Sequence, residues 1–307
     1  MRILIVGCGA VGSLFAAHLA KAGEAEIWAY DVWKEHTDAI RTHGLRLSGA
    51  AEITVKLHAT SDPRQLPHCD YGIVATKAIH TKQAIAQTAH AFDESSTVCS
   101  VQNGVGNEEI LAEHVKYIIR GTTFPAGHPI APGHIGYDIK GDTWIGPFEP
   151  TKTPMTRVEE LAGLMTRSGM NTVALKDARG AQWTKLIFNA STNPVGALTL
   201  LHHGAATRFA PTGTLFNDLI AEGEAVAKAL GIELHGDPRQ LVQKGANAPG
   251  KHRASMLQDV LAKRQTEVDF MNGAIVKWGE QAHVPTPLNR ALWELIKGLE
   301  HSWIDPD

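Results

Sequence analysis

The sequence predicts an α/β protein: a doubly wound, mostly parallel sheet covered by helices, followed by an all-helical region. Three observations carry this expectation. From residue 1 to about 176, short β-branched apolar runs alternate with stretches long enough to serve as crossover helices. After about Asp177 the strand signal fades while helical periodicity continues. Between the first apolar run and the first helical stretch lies Gly7-Cys8-Gly9-Ala10-Val11-Gly12, a GxGxxG turn.

Taken in order, Ile3 to Val6 reads as the first strand and Ala10 to Ala22 as the first helix, followed by a strand at Glu26 to Tyr30 and a helix at Lys34 to Thr42. Further strands are expected at Tyr71 to Ala75, Thr97 to Val101 and Tyr117 to Thr122, with helices at Thr81 to Ala91 and Asn107 to His114 between them. Gly133 to Gly146 reads as a hairpin turning around Gly141-Asp142 at a sheet edge, which gives Asp142 a turn role. Helices follow at Ala181 to Asn193, Thr214 to Leu230 and Ser255 to Gln281, the last the longest. Pro249, Gly250 and Lys251 with nearby Gly245 suggest a mobile loop before it, either a closure over a ligand or a plain connection. The expected domains are 1–176 and 177–307.

Composition excludes several classes. Apolar residues at 43%, charged residues at 20% and a net charge of −3 describe a soluble globular chain without the basic surplus that nucleic acid requires. The three cysteines show no metal-ligand spacing, and His202-His203 lacks the i, i+4 separation of helical ligand pairs, so no metal is expected among the 16 histidines. Met1 to Ala22 superficially resembles a secretory signal, but its three glycines would break an apolar signal helix. No other segment approaches the ~20 apolar residues of a membrane span, so a cytoplasmic protein without a membrane partner is expected, with a homodimer left open.

Each glycine of the GxGxxG turn has a mechanical role. Gly7 permits the tight turn, Gly9 lets the backbone approach a pyrophosphate, and Gly12 lets helix and strand pack closely. The phosphates would sit at the positive helix end beside Cys8, Ala10 and Val11. This is the layout of a Rossmann-type dinucleotide site, with residues 1–176 as the dinucleotide-binding domain. Asp31 closes the second strand about 20 residues beyond the last glycine, the spacing of an acidic ribose ligand. A carboxylate there favours NAD over NADP; the alternative is that Asp31 caps the next helix. Lys77 and Asn103 follow later strands at the carboxyl edge, where either a ligand contact or turn chemistry would place them.

In the helical region Lys185, Asn189 and Asn193 recur at i, i+4 and form one polar stripe. Two asparagines cost helix stability unless they bind something, yet a solvated face remains the competing reading. Pro194 is expected to end or kink the helix, leaving Asn193 near its terminus. Ser255 with Gln258 has the form of a capping box, and Glu267 could pair with Lys263.

Together these stretches resemble the ketopantoate reductase family over nearly the whole chain. The resemblance is carried by GCGAVG, VATKAIHT, VQNGVG, WTKLIFNASTNP and SMLQDVLAKRQTEVDFMNG in the family's order and approximate spacing. It implies reduction of a 2-keto acid by a nicotinamide, with Lys185 as proton donor, Asn189, Asn193 and Ser255 holding substrate, Glu267 at the reacting centre, and Lys77 and Asn103 on the cofactor. Such a reduction needs a proton for the developing alkoxide and donors for the carboxylate; burial lowers a lysine's pKa toward working pH and suits it to proton donation. The chain departs from the family pattern at Asp31-Val32-Trp33, where NADPH-preferring members carry arginine, and at Thr123 to Gly127 and His202-His203-Gly204. These departures leave open an NAD-dependent D-2-hydroxy acid dehydrogenase with a bulkier substrate. A silent NAD-binding redox sensor is the reading from another class.

Overall fold

A computed structural model describes residues 1–247 and 253–304, in two compact units. The first comprises 1–102 and 107–178; the second comprises 103–106 and 179 onward.

The first unit runs β1 (Arg2–Val6), α1 (Ala10–Ala22), β2 (Glu26–Tyr30), α2 (Lys34–His43), β3 (Leu45–Gly49), β4 (Ile53–Val55), β5 (His58–Thr60), β6 (Tyr71–Val74), α3 (Thr81–Thr88), β7 (Thr97–Ser100), α4 (Asn107–Ala112), β8 (Tyr117–Thr123), β9 (Ala126–Ala131), β10 (His134–Ile139), β11 (Thr143–Pro147), α5 (Met155–Arg167) and β12 (Thr172–Ala174). Its main sheet has the order β12-β11-β8-β7-β6-β1-β2-β5. From β8 to β5 every pairing is parallel, whereas β11 joins β8 antiparallel. The strand order reverses about β1, the first strand, as in a Rossmann-type sheet.

Burial on both faces explains why β1 is almost continuously apolar. Ile3 and Ile5 enter one core with Leu14 and Phe15 of α1, while Leu4 and Val6 enter the other with Ile85 of α3 and Leu111 of α4. All eight side chains are fully buried, which at about 1.5 to 3 kcal/mol each is the main force holding the glycine turn in place.

A second sheet, β4-β3-β10-β9, packs on α1 and has no counterpart in the sequence-based expectation. Its strands are three to six residues long and interrupted by polar residues, too short for a period-2 signal to emerge. The expected hairpin is displaced by one strand. Its turn falls at Pro132-Gly133 between β9 and β10, with Gly133 at φ +73°, while Gly141-Asp142 links β10 to β11 in the other sheet. Asp142 does serve that turn, accepting from Asn171 Nδ2 at 2.6 Å.

The second unit is helical: α6 (Arg179–Thr199), α7 (His203–Arg208), α8 (Ala210–Ala229), α9 (Pro238–Ala246), α10 (Ser255–Leu261), α11 (Asn272–Gln281) and α12 (Pro287–Ile304). Trp183, Ile187, Phe216, Ile220, Ile275 and Ile296 form its core. Two expectations are corrected here. The single helix Ser255 to Gln281 is broken: α10 stops at Leu261, Lys263 turns at φ +50°, and a short 3-10 turn at Val268–Phe270 precedes α11. Nor does Pro194 end α6, which continues to Thr199. The loop expected around Pro249, Gly250 and Lys251 lies outside the described residues.

Candidate active site

In the first unit the chain leaves β1 through Gly7 at φ +87°, and the Gly7 N–H donates to the Tyr30 carbonyl at 2.8 Å. A Cβ at Gly12 would sit 1.9 Å from the Gly7 carbonyl oxygen, so helix and turn touch only because that position has no side chain. Gly9 differs, since a Cβ there would meet nothing within 4 Å. That open space faces the amino end of the 13-residue α1, whose N-cap, Gly9 itself, supplies no side-chain acceptor. A phosphate oxygen fits this position, because the first-turn N–H groups have no side-chain partner and the helix dipole favours an anion.

Cys8 lines the turn as a structural residue. Its Sγ lies 3.4 Å from Ser13 Oγ, and burial pushes its thiol up to about 12, far from a reactive thiolate. Ser13 Oγ donates to the Cys8 carbonyl at 2.8 Å and lies 3.4 Å from His36 Nε2. Because His36 Nδ1 accepts the Gly133 N–H at 3.0 Å, its proton resides on Nε2, and burial lowers its pKa. The turn is thereby tied to the small sheet.

Asp31 follows β2, and its Oδ1 accepts the Trp33 N–H at 2.9 Å. The N-cap of α2 is Trp33, so Asp31 orders the approach to that helix without occupying the cap position. Beside it Val32 is 72% exposed, leaving the end of β2 open. Lys77 comes three residues after β6, where it is the N-cap of a short 3-10 turn at Ala78–His80. Gln102, at the end of the β7 segment, places Nε2 3.0 Å from the Thr76 carbonyl and 2.7 Å from Thr81 Oγ1, which in turn donates to Asn107 Oδ1 at 2.9 Å. Gly7, Lys77 and Gln102 therefore stand at the carboxyl ends of adjacent parallel strands, where open α/β sheets bind ligands. Gln102 and Thr81 escape a reading based on residue type alone, although the stretches containing them do not.

In the second unit α6 carries Lys185, Asn189 and Asn193 along one face. Lys185 is half-buried; burial pushes its ammonium down to about 8, against the opposing pull of the Glu267 carboxylate. Glu267 is buried and its Oε2 accepts from Asn103 Nδ2 at 3.4 Å. Residues 103–106 lie against the Glu267 segment: Gly104 stands at φ +85°, a Cβ there would be 2.3 Å from the Phe270 carbonyl oxygen, and Val105 N–H donates to that oxygen at 3.0 Å. The Asn-Gly pair thus makes a turn and brings Asn103 to Glu267. Glu267 does not pair with Lys263, because the break in the expected helix removes their i, i+4 relation.

The segment around Glu267 is pinned from α12. Glu300 Oε1 accepts from the Thr266 backbone and hydroxyl at 2.7 and 2.6 Å, Trp293 Nε1 donates to Asp269 Oδ1 at 2.7 Å, and Lys297 Nζ bonds Asp269 Oδ2 at 2.9 Å. Further along α6, Asn193 is 5% exposed and, among the described residues, its amide reaches only the Met271 thioether at 3.7 Å, a weak acceptor that a carboxylate or carbonyl would displace. Asn189 makes no side-chain hydrogen bond to a described residue. Ser255 opens α10, which packs on α6. It forms no capping box: the N-cap is Ala254, no side chain caps the helix, and Gln258 Nε2 instead donates to the Arg253 carbonyl at 3.0 Å.

His202 caps α7, and His203 packs between Phe188 and Phe216 with Nε2 2.9 Å from the Val242 carbonyl. Among the described residues no group of three or more histidine, cysteine or acidic side chains is placed to hold a metal. No described helix is long and apolar enough to cross a membrane.

A strand–GxGxxG–helix unit, with a half-buried lysine beside a carboxylate and two amides in a helical unit, defines a Rossmann-type oxidoreductase. Two family models match in succession: "Ketopantoate reductase PanE/ApbA" over residues 3–150 and "Ketopantoate reductase PanE/ApbA C terminal" over residues 177–300. The chain is 33% identical to a 2-dehydropantoate 2-reductase of Archaeoglobus fulgidus over 97% of its length and 98% of the relative's. It is likewise 33% identical to one of Pyrococcus abyssi, covering 98% of both. Among solved structures it resembles a ketopantoate reductase from Ralstonia eutropha JMP134 (TM-score 0.88, 29% identity, 98% of this chain and 99% of that one). It also resembles D-mandelate dehydrogenase with NADH and anilino(oxo)acetate (TM-score 0.89, 26% identity, 98% and 99%). The chain belongs to the ketopantoate reductase family.

Proposed function

We propose that the protein reduces the C2 carbonyl of a 2-keto acid, 2-dehydropantoate or a close analogue, with Lys185 as general acid. The observation that carries this reading is the half-buried Lys185, brought to a pKa of about 8 on a helix face that it shares with Asn189 and Asn193. In this reading residues 1–176 bind the dinucleotide and residues 177–307 bind substrate, as the sequence suggests. A bound NAD(P)H supplies the hydride.

The turn at Gly7 to Gly12 would hold the pyrophosphate, with Asp31, Lys77 and Asn103 as further cofactor contacts. Asn189, Asn193 and Ser255 donate hydrogen bonds to the substrate carboxylate and hydroxyl oxygens. Lys185 gives its proton to the oxygen of the reacting carbonyl as negative charge develops there, and then recovers one from solvent. With a pKa near working pH it both releases and regains that proton readily. Glu267 keeps the ammonium protonated between turnovers, since a nearby carboxylate stabilises the charged form.

Asp31 favours a second reading of the substrate and cofactor, an NAD-dependent D-2-hydroxy acid dehydrogenase with a bulkier substrate. A carboxylate at the end of β2 would accept from ribose hydroxyls and repel the extra phosphate of NADP. The similar D-mandelate dehydrogenase is described with NADH. Assays of 2-dehydropantoate and of branched and aromatic 2-keto acids with both nicotinamides separate the two: fastest turnover of 2-dehydropantoate supports the first, and of an aromatic acid with NADH the second. Cofactor binding without turnover of any of these acids would overturn both and leave a silent sensor.

A further inference from the structure

We infer that Asn272 is a positioning residue for the substrate-binding end of α6, acting through the carbonyl that Pro194 leaves without a helical partner. Proline has no N–H, so within a helix it strands the carbonyl four residues earlier and normally bends the axis there. In α6 that carbonyl belongs to Ala190, and the helix nevertheless runs on to Thr199. Asn272 Nδ2 donates to the Ala190 oxygen at 2.9 Å, replacing the missing donor from outside the helix.

The polarity of this contact is fixed at its far end. Glu222 of α8 can only accept: its carboxylate takes the Leu288 and Asn289 N–H groups at 2.8 and 2.9 Å and Asn289 Nδ2 at 2.8 Å. Asn289 therefore turns its oxygen toward Asn272, and Asn272 Nδ2 donates to it at 3.0 Å. Both amide hydrogens of Asn272 are thus committed, one to each acceptor. Its own oxygen is buried with no partner among the described residues, so the residue retains a cost in order to serve as a double donor.

The position of the repair links it to function. Ala190 is flanked by Asn189 and followed three residues later by Asn193, the two amides that the proposed function assigns to substrate, while Lys185 lies five residues before it on the same helix. A kink of about 20° at Ala190, the threshold of a proline kink, displaces atoms one helical turn away by about 2 Å. An error of about 1 Å in reacting geometry costs on the order of 100-fold in rate. The inference rests on the reading that Asn189 and Asn193 hold the 2-keto acid.

A double-mutant cycle tests it. Pro194→Ala restores an N–H to the Ala190 carbonyl and should make Asn272 dispensable to α6. In the parent, Asn272→Ala is expected to raise KM for the 2-keto acid about tenfold or more, with NAD(P)H affinity within about twofold; in the Pro194→Ala background the same substitution should raise KM less than about threefold. The milder Asn272→Ser is carried through the same cycle, and either substitution reports the coupling. Equal losses in the two backgrounds would overturn the inference, as would no loss in either. Asn193→Ala run alongside isolates the underlying reading: if it leaves KM unchanged, the substrate assignment has failed, whereas a raised KM there with no coupling at Asn272 refutes the positioning role alone.

Discussion

Replacing Lys185 by methionine should separate catalysis from stability, because the site holds a charge that the fold itself disfavours. The fall from the ordinary 10.5 to about 8 corresponds to roughly 3 kcal/mol between the two protonation states. Since the side chain is only half-buried, solvent screening reduces the stability it costs to about 1 to 2 kcal/mol. The sign follows from proton binding. Between pH 8 and 10.5 the unfolded lysine holds more proton than the folded one, so the parent gains stability as pH rises through that window and carries the full penalty below it. Lys185→Met should therefore unfold a few degrees higher than the parent at pH 7, with the advantage gone by pH 10.5. Turnover should meanwhile drop by about 10²-fold or more, the scale of lost acid catalysis. Thermal melts at pH 7 and 10.5 with steady-state rates provide the assay. A variant that keeps its turnover, or whose stability gain is the same at both pH values, would refute the reasoning.

The glycine turn makes an opposed pair of predictions. Gly9→Val should leave thermal stability within about 0.5 kcal/mol while abolishing cofactor binding by titration, because its side chain enters open space. Gly12→Ala should destabilise by several kcal/mol, because its methyl overlaps the Gly7 carbonyl. Asp31→Arg should shift the kcat/KM ratio toward NADPH; a parent that already prefers NADPH would contradict the ribose role. Glu267→Gln removes the carboxylate that raises the Lys185 pKa, so the pH at which reduction falls off should move down by about 1 unit or more.

Much of the first unit was legible because its signals are local and redundant. Ala10 to Ala22 lies between Gly9 and Gly23, both it and Glu26 to Tyr30 pack on a core that demands period 3.6 or 2, and their limits coincide with α1 and β2. The small sheet was invisible because its strands are three to six residues long and its central pairing, β3 with β10, joins segments nearly ninety residues apart. In the helical unit local rules misled twice for one physical reason. Pro194 is expected to end or kink its helix, and α6 instead runs on to Thr199, with Asn272 of a distant element donating to the Ala190 carbonyl that the proline leaves without its helical partner. Ser255 to Gln281 reads as one helix, yet the pairing of Thr266 and Asp269 with α12 makes a broken segment more favourable. That same break turns Glu267 toward Asn103, so the carboxylate's place beside Lys185 could not be derived from helical spacing. The stripe of Lys185, Asn189 and Asn193 could be, since it needs only the α6 repeat.

The proton-donor assignment is tested most directly by changing the basicity of the group at position 185 without changing its reach. Lys185→Cys alkylated with 2-bromoethylamine carries a thioether analogue of lysine with a less basic amine; Cys8, Cys69 and Cys99 are buried with raised pKa values and should resist alkylation. With modification verified by mass, the rate of 2-keto acid reduction should recover from the cysteine variant, and the pH at which it declines should fall below that of the parent, near 8. Recovery with an unmoved pH limb, or full activity in the unmodified cysteine variant, would contradict it.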